Sequence, residues 1–287
     1  MKKSTILLLI IFCITFSTKA QTGKVFDKLT MKSEVLKSDR NYAIYLPPDY
    51  ESSERSYPVL YLLHGAGDDQ TGWVQFGEVL RITDEAIKNG SATAMIIVMP
   101  DANTGKRGYF NSIDGNWPYE DFFFEEFIPY IEKTYRIKGE KRYRAVAGLS
   151  MGGGGSLIYA LRHPELFSSA CPLSAYVGPL KVENLKSFLV KDTETYSKKQ
   201  IQEYFDKHDG VSLVNSLDAK KIGSVRWFID CGDDDFLYEG NSLLHIAMKK
   251  KEIPHEYRVR DGRHTWTYWR ASLPKVLSFV SDAFHQY

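Results

Sequence analysis

The sequence predicts an α/β fold with a mostly parallel central sheet and helices on both faces. Three observations carry this. Apolar runs of strand length recur along the chain, stretches of helical spacing separate them, and the 287 residues, 43% of them apolar, suffice for a full core. A disordered chain and a disulfide-stapled miniprotein are thereby excluded.

The elements follow in order. Residues 40–46 alternate apolar and polar ahead of Pro47-Pro48, as in an edge or antiparallel strand. Residues 57–63 and 94–99 are unbroken apolar runs, the pattern of strands buried on both faces. Between them Val79, Ile82, Ala86 and Ile87 recur at helical spacing, and Asn89-Gly90 stops that helix. Phe124, Phe127, Ile128, Ile131 and Tyr135 mark another helix, which Pro129 should kink. Strand 143–147, a helix near 152–162, strands 168–174 and 225–231, helix 241–251 and strand 256–260 come next. A C-terminal helix carries Leu273, Val276, Leu277 and Val280. Repeated strand–helix–strand units imply the parallel sheet. The polar stretch 176–223 breaks the rhythm, with two weak helical patterns (Leu185, Phe188, Leu189; Ile201, Tyr204, Phe205). It reads equally as a surface excursion or as a cap inserted over the site. No repeat or linker divides the chain, so residues 21–287 are expected to form one domain.

Charge is balanced, 37 Lys+Arg against 36 Asp+Glu, which gives no basic field for a nucleic-acid partner. Lys2-Lys3, the apolar run Ile6–Phe16 and the exit Ser17-Thr18-Lys19-Ala20 have the form of a cleavable export signal over residues 1–20. That run is too short to span a bilayer, and no stable membrane insertion is expected. Cys13 follows Phe12 rather than a small residue, which argues against a lipid anchor. Cys171 and Cys231 sit in strand-like runs and read as buried free thiols; spacing does not decide whether they pair.

Chemistry centres on Gly148-Leu149-Ser150-Met151-Gly152, a G-x-S-x-G motif between a predicted strand and a predicted helix. A serine on so sharp a turn needs small neighbours on either side. Its hydroxyl also needs a base, and the base an orienting acid, in the chain order Ser, acid, His. His163 ends a helix, His208 lies in the polar stretch, His245 falls within a helix, His255 opens a strand and His285 is in the tail. His264, in the loop after the last strand, is the expected base. The acid lies in the run Asp233-Asp234-Asp235, where position alone does not choose; Asp230 precedes the turn and reads as structural. The acidic run also admits a metal reading, but it lacks the alternating ligands of a calcium loop. No cofactor or metal is expected. Backbone donors for an oxyanion are the Met151 amide and one from the His64-Gly65-Ala66-Gly67 loop. His64 itself reads as an anchor for that turn. Softer candidates are Asp101, Asn103 and Tyr109–Ser112. Trp117, Trp266 and Trp269, with Gly67, are candidate walls of a substrate pocket.

The four segments YLLHGAGD (61–68), GLSMGG (148–153), CGDDDFLYEGN (231–241) and GRHTWTYW (262–269) together resemble the D-type esterase superfamily of α/β-hydrolases. The chain is most similar to the feruloyl and acetylxylan esterases of carbohydrate esterase family 1. The resemblance implies the acid is Asp235, followed by Phe236-Leu237, and that Ala66 is the second oxyanion donor. Where the family has Gly-Gly-His-x-Trp, this chain has Arg263 in place of the second glycine. The implied activity is an exported serine carboxylesterase that removes feruloyl or acetyl groups from plant cell-wall polysaccharide, xylan above all, through an acyl-enzyme. Its partner would be an acylated polysaccharide or oligosaccharide. Competing readings are an S-formylglutathione-type thioesterase, an acyltransferase, and a non-catalytic binding module.

Overall fold

The computed structural model describes residues 22–102, 108–185 and 195–285. The expected export segment, Cys13, Asn103, Phe188 and Leu189 lie outside the described residues.

Among the described residues, eight strands form one sheet in the order β1-β2-β4-β3-β5-β6-β7-β8. They are β1 Lys24–Ser33, β2 Ser38–Leu46, β3 Val59–Leu63, β4 Ile96–Pro100, β5 Arg144–Leu149, β6 Ser169–Leu173, β7 Arg226–Gly232 and β8 Glu256–Arg260. Strand β2 runs antiparallel to both of its neighbours, β1 and β4, and strands β3 to β8 are mutually parallel. The apolar runs are continuous because successive side chains serve opposite cores. In β3, Val59, Tyr61 and Leu63 join the core under the helices Met151–Arg162 and Tyr238–Lys250, while Leu60 and Leu62 join the core under Val79–Lys88 and Trp266–His285.

Three features depart from the sequence reading. Strand β1 was not anticipated: its outer position leaves it half exposed, with a bulge between Phe26 and Leu29 that interrupts the alternation. Around Pro129 the irregularity is a π-helical turn, Phe122–Phe127, just ahead of the α-helix Ile128–Thr134. Proline lacks an N–H and crowds the carbonyl four residues back, and a wider turn relieves both. His208, expected in a polar excursion, is 4% exposed. It ends the helix Lys198–His208, which starts on a Ser197/Gln200 capping box. That helix packs on the 108–118 loop through Tyr204, whose hydroxyl donates to the Asn111 carbonyl at 2.9 Å, and through the edge of Phe110 on His208.

Cys171 and Cys231 are free and buried. Burial raises both thiols, Cys231 to about 12, so neither is a thiolate near neutrality. No helix among the described residues is long and apolar enough to cross a membrane.

Strand order places the site. From β3 the chain steps to β4 on one side and then back across to β5 on the other. A crevice opens outside the strand C-termini at such a reversal. All six parallel strands end on the same sheet edge, so the loops after β3, β5, β6, β7 and β8 converge there.

Candidate active site

Ser150 occupies the turn between β5 and the helix Met151–Arg162, with φ 56° and ψ −117°. A side chain at such angles strains the backbone by about 1–3 kcal/mol. Neighbouring backbone holds it there. The Ser150 amide donates to Leu173 O at 2.9 Å, and its carbonyl accepts from the amides of Gly154 and Tyr176, each at 2.9 Å. The glycines are required by contact. A Cβ on Gly152 would lie 2.5 Å from the carbonyl oxygens of both Leu63 and His64, and one on Gly148 would lie 2.4 Å from Gly152 O.

His264 Nε2 lies 2.9 Å from Ser150 Oγ, and its Nδ1 lies 3.0 and 2.8 Å from the two carboxylate oxygens of Asp235. A nitrogen facing a carboxylate carries the proton, so the Nε2 lone pair is left to accept the Ser150 hydroxyl hydrogen. Asp235 is fully buried. Burial alone would raise its carboxyl. Hydrogen bonds from His264, the Leu237 amide (2.9 Å to Oδ1) and the Ser174 hydroxyl outweigh that and hold it below the usual carboxylate range.

The other two aspartates separate by contact. Asp233 binds the Gly262 amide at 3.0 Å, and the Asp234 amide binds Gly262 O at 3.0 Å, tying the loop after β7 to the loop after β8. Gly232 allows this closeness, since a Cβ there would sit 2.3 Å from Gly262 O. The Asp234 side chain faces outward, 3.5 Å from Arg263. Asp230 is buried, binding Arg260 at 2.9 Å and the Tyr268 hydroxyl. Among the described residues no cluster of three or more His, Cys, Asp or Glu is arranged to hold a metal.

His64 is also placed by its bonds. Its Nδ1–H donates to Gly65 O at 2.9 Å and its Nε2 accepts from the Ala102 amide at 3.0 Å. Burial lowers its pKa despite the Gly65 carbonyl, which keeps the ring neutral as this pattern requires. The Tyr109 hydroxyl bonds both its amide (2.8 Å) and its carbonyl (3.1 Å). His64 therefore fixes the turn that carries Ala66 beside the Ser150 loop, where a Cβ on Gly65 would be 3.5 Å from Ser150 Cβ. The amides of Ala66 and Met151 meet no acceptor among the described residues.

The three tryptophans have different surroundings. Trp117 is 7% exposed, bonds Gly108 O at 2.7 Å and stacks on Tyr119, so it belongs to the core and not to an open pocket wall. Trp269 is buried with its edge against the His264 ring at 4.8 Å, and its indole N–H donates to Ser174 Oγ at 3.0 Å. Trp266 is half-buried among Trp73, Phe76 and Trp269. Gly67 is exposed at φ 86°. Asp101 binds Arg40 at 2.9 Å, and Asn111 accepts from the Glu120 amide at 2.9 Å; both knit loops together. Two residues with a part in the site were not anticipated. Ser174, at φ 42° after β6, couples Trp269 to Asp235. Asn241 bridges the loops after β6 and β7, donating to Ala175 O at 3.0 Å and Leu237 O at 2.9 Å. A lone serine and a helical asparagine carry no motif; only the GN that closes the 231–241 segment marked the second.

A mostly parallel eight-stranded sheet with a strained serine after β5 and a carboxylate-bound histidine from the last two loops defines an α/β-hydrolase. The chain belongs to the esterase family, whose model (Esterase) matches residues 33–280. It is 35% identical over 259 residues to an endo-1,4-beta-xylanase/feruloyl esterase of Xylanibacter ruminicola, covering 87% of this chain and 30% of that longer protein. A solved ferulic acid esterase matches with 39% identity and a TM-score of 0.81, over 92% of this chain and all of that one. The S-formylglutathione hydrolase of Mus musculus is 24% identical, over 90% of each chain.

Two outcomes are expected of stability measurements. Ser150→Gly should be more stable than Ser150→Ala by about 1 kcal/mol, because glycine adopts φ 56° without strain. Equal unfolding free energies would show the turn to be unstrained. The lowered Asp235 carboxyl stabilises the fold above its unfolded value of about 3.9, and that contribution is lost as pH falls through the lower folded value. The stability gap between wild type and Asp235→Asn, followed by denaturant titration, should therefore shrink below about pH 4. A gap independent of pH between 7 and 2 would contradict it.

Proposed function

We propose that this protein is an exported serine carboxylesterase that removes feruloyl or acetyl groups from plant cell-wall polysaccharide. The observation that carries the hydrolytic part is the hydrogen-bonded sequence Asp235–His264–Ser150, with its imidazole tautomer fixed by the carboxylate. The acyl group and polysaccharide are supported by the likeness to the xylanase/feruloyl esterase and to the ferulic acid esterase. Export is supported by the sequence of residues 1–20.

In this reading Ser150 Oγ attacks the ester carbonyl carbon while His264 Nε2 takes the hydroxyl proton. The carbonyl oxygen becomes an oxyanion facing the amides of Ala66 and Met151. Such a donor typically contributes about 2.7–4 kcal/mol to the transition state. Asp235 stabilises the imidazolium. The C–O bond to the alcohol then breaks, and the alcohol leaves with the proton from Nε2. Water, deprotonated by the same nitrogen, attacks the acyl-enzyme, releasing the acid and restoring Ser150. Trp269 and Ser174 act on this chain indirectly, by holding His264 and Asp235 in register.

The test is a side-by-side assay of methyl ferulate, acetylated xylan and S-formylglutathione. Hydrolysis of one or both oxygen esters in preference to the thioester is expected. Ser150→Ala should abolish it, and Asp235→Asn should lower kcat by about 10⁴-fold, far more than Asp233→Asn or Asp234→Asn. Preference for S-formylglutathione, equal losses across the three aspartates, or full activity of Ser150→Ala would overturn this reading.

A further inference from the structure

Phe236 follows the buried Asp235, yet its own ring is 71% exposed. Its centroid is 4.5 Å from that of His264, with the planes at 51°. The imidazole thus meets one buried ring, Trp269, and one open ring, Phe236. Polar residues neighbour the open one along the chain. Asp234 precedes it in the same loop, Tyr238 follows it at 58% exposed, and Arg263 adjoins His264. Asp234 and Arg263 form an exposed pair at 3.5 Å.

This placement bears on the departing alcohol. The oxygen that receives a proton from His264 Nε2 must come within hydrogen-bond reach of that nitrogen. The atoms attached to it then lie close to the Phe236 ring. A methyl or ethyl group is too small to cover that ring, which would stay in water. A sugar ring offers a flat face of C–H groups suited to the electron-rich face of an aromatic ring. Its rim hydroxyls suit the carboxylate, phenol and guanidinium of Asp234, Tyr238 and Arg263. An exposed apolar surface beside a reactive centre, rimmed by polar groups, is the composition of a ligand subsite.

We propose that Phe236 is a specificity-determining residue that forms the platform for the leaving alcohol, and that the alcohol it fits is a sugar ring. This rests on the serine-esterase reading and deepens it. The ring beside His264 selects what the acid is esterified to.

The experiment compares two esters of one acid, methyl ferulate and feruloylated arabinose, with ethyl acetate and acetylated xylo-oligosaccharide as the acetyl pair. Whatever loss of the ring does to the imidazole acts on both members of a pair, so it cancels in their ratio of kcat/KM. Phe236→Ala should lower the sugar-over-alkyl ratio by about tenfold, mostly through KM for the sugar ester. Phe236→Trp, which keeps an aromatic face, should retain most of the ratio. Because the side chain is exposed, both variants should match wild type in thermal melting. An unchanged ratio in Phe236→Ala, or equal losses in the Ala and Trp variants, would overturn the proposal. Wild-type protein inert on all four esters would instead overturn the esterase reading on which it rests.

Discussion

One imidazole holds this site together. His264 faces a carboxylate with one nitrogen and a serine hydroxyl with the other, and its position depends on contacts well beyond those two. The loop that carries it is fastened to the loop after β7 by backbone and Asp233 bonds, possible only because Gly232 lets the chains nearly touch. Trp269 backs the ring, and Ser174 links that tryptophan to Asp235. A shift of any of these by an ångström would lengthen a hydrogen bond on which the proposed proton transfer depends.

Sheet geometry makes that arrangement possible. Residues far apart in sequence meet because parallel strands all deliver their following loops to one edge, and the reversal from β4 to β5 across β3 opens space there. The strained turn at Ser150 is tolerated because its amide bonds to Leu173 at the end of β6 and its carbonyl to Gly154 and to Tyr176 just beyond that strand. Tight glycine contacts and the strained backbone at Ser150 each cost stability or freedom locally. Two large cores, one on each face of the sheet, surround and fix them.

Much of this was legible in the sequence, for physical reasons. Strands buried on both faces read as unbroken apolar runs, and the C-terminal helix repeats its apolar face cleanly over Leu273–Val280. The turn at Ser150 announces itself because only small residues fit around it. Other parts leave no such trace. Strand β1 is half exposed and bulged, so its alternation is blurred. Position alone does not choose among Asp233, Asp234 and Asp235; the family pattern implies Asp235, and only the structure shows which carboxylate is buried and which faces water. Trp117 was indistinguishable in sequence from a pocket wall, and only its bond to Gly108 and its stacking on Tyr119 put it in the core. Ser174 and Asn241 act through neighbours that are remote in sequence.

The most direct test of the central claim is intact-mass analysis after incubation with a fluorophosphonate, followed by peptide mapping. One adduct is expected, on Ser150, whose rate of formation collapses in His264→Ala while the fold persists. No adduct, an adduct elsewhere, or labelling equally fast without the imidazole would show that the serine owes no reactivity to this hydrogen-bonded chain.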